Sequence, residues 1–348
     1  MLQLSAFLKG LRKSLCAGKV SGADGDGREA ADELQRQAKK NDMLLRSSGS
    51  VTSAGSKSFA SVFSQRGEKG MNQDCCVVWE EFGCQEDMTF CGIFDGHGPW
   101  GYFVAKTVQR LLPSSLLCNW QQALALASKV DEDDAKICHF DLWNQSYLAS
   151  CAAVDRQLKK DTSLSFHSGT TAVTIIKQGN LMVIANVGDS RAVLATTDDD
   201  GNLVPFQLTN DLKPNLPEEV ERITRCRGRV FCLQDEPGVY RLWLPDEEGP
   251  GLAMSRAFGD HCVKDFGLIS EPEVTQRIIS SRDQFVVLAT DGVWDVVSNQ
   301  EAVNIVSLTK DKKKSAKKLV EYAIAAWRRK RRGFAIDDCS AICLFFHP

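Results

Sequence analysis

Three short apolar runs, Ala172–Lys177, Leu181–Val187 and Ala192–Ala195, follow one another at hairpin-length gaps. Strands joined this way favour antiparallel sheets with helices segregated outside them, not alternating strand–helix–strand units. The same short, β-branched or aromatic pattern recurs at Val77–Trp79, Thr89–Phe94, Gln284–Ala289 and Ala341–Phe346, bounded by Gly or Asp. Helical periodicity predicts helices over Gly101–Leu112, Trp120–Val130, Asp141–Lys160, Pro217–Arg225, Asn299–Leu308 and Lys314–Arg329. Asp198–Gly201 reads as a turn. The fold class expected is α+β.

With 348 residues, 43% of them hydrophobic and 25% charged, the chain can bury a sizeable core without staples. Disorder, collagen and a disulfide-dependent miniprotein are excluded. A net charge of −3 supplies no global field for nucleic acid or a membrane surface. No run reaches the roughly 18 uncharged apolar residues of a membrane span. The 13 cysteines are odd in number and include no Cys-x-x-Cys, so free thiols in a reducing compartment are expected. In the first twenty residues Leu4, Leu8, Leu11 and Leu15 recur at helical spacing among Lys9, Arg12, Lys13 and Lys19. Charges interrupt any secretory apolar run; a frayed surface helix is the plain reading and organelle import the alternative. Ser47–Ser61 is Ser/Gly-rich and reads as linker. The expected organisation is a disordered basic and Ser/Gly-rich arm over 1–55 and a catalytic domain over 56–348.

Four apolar strands end or begin at Asp. Phe90–Phe94 runs into Asp95–Gly96–His97–Gly98, Phe285–Thr290 into Asp291–Gly292, and Leu181–Val187 into Gly188–Asp189; Asp337–Asp338 precede the last strand. A carboxylate at a buried strand tip is costly unless something pairs with it. One such Asp is usually a turn former; four or five together look like a shared cationic site. With only five His in the chain, an all-oxygen site suits Mg²⁺ or Mn²⁺ rather than zinc. Two such ions are a standard device for in-line displacement at phosphorus. Rival phosphatase chemistries lack their residues: His261–Cys262 is followed at position 268 by Leu rather than Arg, and Asp95 is followed two residues on by His97. No Gly-x-x-x-x-Gly-Lys-Ser/Thr loop is present.

Seven blocks in order resemble the metal-dependent serine/threonine protein phosphatases of type 2C. They are Lys69–Asp74, Phe94–Gly98, Ser168–Ala172, Asn186–Arg191, Leu252–Asp260, Ala289–Asp295 and Asp337–Ser340. Asn72–Gln73–Asp74 and Val78–Trp79–Glu80–Glu81–Phe82 look like a plant subgroup. The resemblance implies a central β-sandwich of two antiparallel sheets flanked by helices, with Mg²⁺ or Mn²⁺ in a cleft at one end. It implies that Asp95 bridges two ions, that Gly96 offers its carbonyl, and that Asp291 and Asp337 complete one ion. Asp74 would hold ion-bound waters, and Asp189 and Asp295 match a third, weaker ion sharing Asp291. Lys69 lies where the family places a basic residue against the phosphate, and His97 matches the general acid for the leaving oxygen. A metal-activated water would then dephosphorylate phosphoserine and phosphothreonine in proteins with no phosphoenzyme.

Gln73 departs from the family's frequent Glu, and looser binding of one ion is expected from it. Pro99–Trp100 is expected to reshape a cleft wall. Asp211–Leu212–Lys213–Pro214 lacks the usual His, and Asp260 is read as hydrogen-bonding structure more than as a ligand. Polar stretches between Pro205 and Gly251, among them Pro217–Glu219, Arg225–Arg229 and Asp246–Glu248, are plausible readers of phosphoprotein substrates. A catalytically weak fold acting as an interaction module and a small-phosphoester phosphatase are the alternatives. The basic cluster at Lys312–Lys314, Lys317–Lys318 and Arg328–Arg332 reads as a solvated helix face and basic loop, or as a nuclear-import signal. A monomer of the cytoplasm or nucleus is expected.

Overall fold

The computed structural model describes residues 60–127, 139–160, 162–234, 236–246, 251–331 and 333–347. The 1–55 arm, most of the Ser47–Ser61 linker, the end of the helix expected to reach Val130, Glu247–Glu248 and Arg332 lie outside the described residues.

Two five-stranded sheets form the centre. The first runs β1 (Ala60–Gln65), β15 (Cys339–Phe345), β14 (Asp283–Ala289), β8 (Arg191–Thr197) and β9 (Leu203–Gln207). The second runs β13 (Glu273–Ile278), β7 (Leu181–Val187), β6 (Ala172–Gln178), β3 (Met88–Phe94) and β2 (Cys75–Trp79). Every pairing in both is antiparallel. Period-2 alternation sends one set of side chains between the sheets. Val62, Val78, Ile93, Ile175, Ile184, Leu288 and Ile342 meet there. The opposite faces are covered too. Phe90, Ile176 and Val183 pack under α1 (Gly101–Ala127) and α2 (His139–Leu158), where Trp120 stacks on Trp143 at 4.7 Å. Val193, Val287 and Cys343 pack under α6 (Asn299–Leu308) and α7 (Ser315–Lys330). The layers are therefore helix, sheet, sheet, helix.

Smaller elements shape one end of this sandwich. They are β4 (Gly96–His97), α3 (Thr162–Ser165), β5 (Gly169–Thr170), α4 (Pro217–Arg225), β10 (Arg229–Phe231), β11 (Arg241–Trp243), β12 (Phe258–Gly259) and α5 (Asp291–Trp294). β12, β5 and β4 make a three-stranded sheet; β10 and β11 make a hairpin.

Three sequence expectations change. Ser61 belongs to β1, fully buried, and not to a linker; its hydroxyl donates to Lys313 O. Helices expected over Gly101–Leu112 and from Trp120 are one helix through Pro113. Val104, Val108, Leu112, Leu116 and Trp120 continue one buried stripe across the proline, and that burial outweighs the roughly 3 kcal/mol a mid-helix proline costs. β9 and β13 have no sequence counterpart because each is an edge strand with exposed positions. The basic cluster is largely helical: Arg328–Lys330 close α7, where cations suit the negative helix end.

Candidate metal centre

Strand register brings the acidic strand tips together. Cys75 pairs with Phe94, so Asp74 and Asp95 leave the second sheet side by side. Ala289 pairs with both Ala341 and Arg191, so Asp291, the Asp337–Asp338 pair and Asp189 leave the first sheet at the same end. Hydrogen bonds link the two sheets there: Thr290 Oγ1 donates to Asp74 Oδ2 at 3.1 Å, and the Thr171 and Ser190 hydroxyls are 2.8 Å apart.

Main-chain hydrogen bonds and close backbone contacts fix the segments that carry the carboxylates. Asp95 N–H donates to Thr171 Oγ1 (3.2 Å) and Thr171 N–H donates to Asp95 O (2.9 Å). A Cβ on Gly96 would fall 2.5 Å from Gly101 O and 2.7 Å from Gln73 O, so only glycine lets these loops close up. Asp74 Oδ1 and Asp189 Oδ1 are buried without a hydrogen-bond partner. Such atoms carry a desolvation cost that a bound cation relieves.

Charge tells the same story. Burial, then neighbouring carboxylates, push Asp74 and Asp95 well above the usual range. Asp291 is pushed up to about 7 by burial, then by Asp189, Asp337 and Asp295. Asp295 is raised chiefly by burial, with Lys213 opposing. Two lysines reach into this field. Lys69 Nζ lies 2.5 Å from Asp337 Oδ2, and Lys213 Nζ donates to Asp189 Oδ2. Burial opposes both ammonium groups, but Asp337 and Asp189 outweigh it, so both stay charged. Buried carboxylate oxygens that crowd one another, some without donors, fit a hard divalent cation with oxygen ligands.

His97 leaves β4 opposite Gly169 of β5, and Gly169 is opposite Gly259 of β12. That register puts Asp260 beside the imidazole: Nε2 is 2.6 Å from Asp260 Oδ2. Burial lowers the His97 pKa and Asp260 more than reverses it.

The expected site residues Lys69, Asp74, Asp95, Gly96, His97, Asp189, Asp291, Asp295 and Asp337 thus share one end of the sandwich. Gln73, expected to weaken one ion, donates Nε2–H to Gly98 O at 2.9 Å, which a Glu carboxylate cannot do. Trp100 N–H donates to Ser168 Oγ, fixing the loop after His97. Lys213 and Asp338 were not assigned to the site from sequence. Lys213 sits in a loop whose only signal is a lysine before Pro214; Asp338 is legible only as the second Asp of a pair.

The chain is similar to known proteins in sequence and in fold. A family model described as Protein phosphatase 2C matches residues 58–331. The chain is 59% identical over 351 residues to "Probable protein phosphatase 2C 34" of Arabidopsis thaliana, covering 100% of this chain and 98% of that one. It is 58% identical over 355 residues to "Probable protein phosphatase 2C 48" of Oryza sativa subsp. japonica, covering 100% and 99%. Among solved structures, a serine-threonine phosphatase 2C from Toxoplasma gondii superposes with a TM-score of 0.73 at 26% identity, over 83% of this chain and 94% of that one. A C. elegans sex determining protein shares the fold, with a TM-score of 0.64 at 20% identity, over 85% of this chain and 67% of that one.

Proposed function

This chain belongs to the protein phosphatase 2C family and is a protein-serine/threonine phosphatase, and we propose that its buried carboxylate end is the catalytic centre. The observation that carries this reading is the crowding of Asp74, Asp95, Asp189 and Asp291 at one sandwich end, with Asp74 Oδ1 and Asp189 Oδ1 buried and unpartnered. The family depends on Mg²⁺ or Mn²⁺. Two ions would be held by Asp95, the Gly96 carbonyl, Asp291, Asp337 and Asp74, and a weaker third by Asp189 and Asp295. When bound, such ions supply a nucleophilic water near neutral pH and offset charge on phosphorus.

The chain's own residues do the rest. Lys69, half exposed beside Asp337, binds a phosphate oxygen of the incoming phosphoserine or phosphothreonine. His97 donates a proton to the departing Ser or Thr oxygen. Lys213 neutralises Asp189 and lessens repulsion around Asp291. The buried thiols Cys75, Cys91 and Cys339 are not nucleophiles: burial drives Cys75 and Cys91 up to about 12 and Cys339 higher still, far from reactive thiolates. The complete acidic set disfavours a non-catalytic interaction module.

No helix among the described residues is long and apolar enough to cross a membrane. A monomer of the cytoplasm or nucleus is proposed, on the 13 cysteines of the sequence, odd in number and without a Cys-x-x-Cys. The deciding experiment assays a phosphothreonine peptide against p-nitrophenyl phosphate, with Mn²⁺ and then with EDTA. Mn²⁺-dependent release of phosphate from the peptide, abolished by EDTA, is expected. Turnover of the small ester alone would assign a small-phosphoester enzyme, and no turnover of either an interaction module.

A further inference from the structure

The loop between β1 and β2 carries Lys69 at its middle and delivers Asp74 at its end. It lies along the segment that leads into β15. Glu68 N–H donates to Ile336 O at 2.7 Å, and Lys69 Nζ reaches Asp337 Oδ2. Gly67 makes the approach possible, since a Cβ there would lie 2.2 Å from Ile336 O.

Asp338 holds both ends of this loop. Its Oδ1 accepts the N–H of Gly67 at 2.8 Å, and its Oδ2 accepts the N–H of Gln73 at 2.8 Å. Between those anchors lie Glu68, Lys69, Gly70, Met71 and Asn72. Asp337 takes the Lys69 side chain of this loop, while Asp338 takes its backbone and also lies close enough to Asp74 to repel its carboxylate. Asp338 N–H also donates to Asp337 Oδ1 at 2.9 Å, so the two acids are oriented together.

We infer that Asp338 is a positioning residue for phosphate binding, its carboxylate clamping the Gly67–Gln73 loop so that Lys69 and Asp74 are presented to the substrate. This rests on Lys69 binding the phosphate, as proposed above. The clamp needs a carboxylate: two N–H donors require two acceptor oxygens, and an Asn would turn its own N–H₂ toward one of them. Freeing either end lets Lys69 drift, and displacement of a binding group by about 1 Å is enough to cost as much as 10²-fold in rate.

The test compares the full-length wild type, Asp338→Asn, Lys69→Met and the double variant. Each is assayed with Mn²⁺ for kcat and KM on a phosphothreonine peptide and for inhibition by inorganic phosphate. Hydrogen exchange over residues 66–74 is read by mass spectrometry on the same proteins. Asp338→Asn is expected to raise KM and the phosphate inhibition constant by about tenfold and to speed exchange in the loop. In the Lys69→Met background it should add less than about twofold, because coupled residues are not additive. Equal losses in both backgrounds, or unchanged phosphate inhibition with a general fall in melting temperature, would overturn the clamp. Should Asp338→Asn not fold, exchange in the wild type still decides: an unprotected 66–74 segment rejects the clamp. A wild type inactive on the peptide fails the proposed function instead, and loop exchange then judges the clamp alone.

Discussion

Asp260 reaches His97 from left-handed backbone. Its φ is 48°, an unusual value for a residue with a side chain, and its Oδ2 sits 2.6 Å from His97 Nε2. Gly169 lies between them: a Cβ there would fall 2.0 Å from Asp260 Oδ2 and 2.7 Å from His97 Nε2. With Nε2 engaged, Nδ1 remains, buried and without a partner. The fold bears backbone strain to hold one imidazole nitrogen and leave the other for chemistry.

A general acid matters in proportion to how poor the leaving group is. An alkyl Ser or Thr oxygen must be protonated as the P–O bond breaks, whereas nitrophenolate leaves unaided. His97→Gln should lower kcat on a phosphothreonine peptide by about 10²-fold or more and lower it much less on p-nitrophenyl phosphate. Equal losses on both, with weakened Mn²⁺ binding, would remove His97 from the acid role.

Asp95 is surrounded by Asp291, Asp74, Asp337 and Asp189, and its own main chain is already bound to Thr171. Asp95→Asn keeps the shape and removes a charge that only a cation can balance. Activity with Mn²⁺ should fall by about 10³-fold or more, an oxygen-ligand site being held by charge count, while the circular dichroism spectrum is unchanged. Near-normal turnover by a folded variant would contradict the assignment of Asp95 as a ligand.

Asp95, Asp189 and Asp291 are legible in sequence because each ends an apolar strand beside Gly, where a carboxylate has no structural reason to be buried. The two-sheet sandwich is not legible in the same way. Helices cover the outer faces, so β15 is buried at every position and reads as one apolar run. The edge strands β9 and β13 fail for the opposite reason, being too exposed to alternate cleanly. Asp338 is illegible because its partners are backbone N–H groups more than 260 positions away, which carry no residue identity. His97 and Asp260 stand in separate motifs, and only the register across Gly169 joins them.

Glu219 of α4 lies buried between two guanidinium groups, Arg222 at 2.7 Å and Arg256 at 2.8 Å. Burial opposes its charge, but hydrogen bonds from Arg222, Arg256 and Ser255 hold its pKa at about 2. A carboxylate depressed on folding adds stability above its unfolded value of 4.5, lost as pH falls through about 2. Glu219→Gln should therefore destabilise by about 3 kcal/mol near neutral pH, as removal of one partner from a buried pair does. The difference should shrink between pH 4.5 and 2. Urea unfolding of both proteins at pH 7, 4 and 3 checks this; a difference independent of pH would show that packing rather than charge is at stake.

The last expectation concerns the carboxylate end as a whole. Asp74 and Asp95 are pushed well above the usual range, and Asp291 up to about 7, by burial and by one another. Carboxylates raised on folding bind protons more tightly in the native state than in the unfolded chain. Their contribution is therefore present at low pH and lost as pH rises from 3.8 through about 7. Protons and divalent cations compete for the same oxygens. At pH 7.5 Mn²⁺ at a hundred times its dissociation constant should stabilise the native state by about 2.7 kcal/mol, a rise of several degrees in melting temperature relative to EDTA. At pH 5.5 the protons already hold part of the site, and the Mn²⁺-induced rise should be smaller. Asp95→Asn should abolish most of it at both values. Differential scanning fluorimetry with and without Mn²⁺ at the two pH values measures the quantity directly, independent of turnover. A rise that is equal or larger at pH 5.5, or that survives Asp95→Asn, would place the ion elsewhere in the molecule.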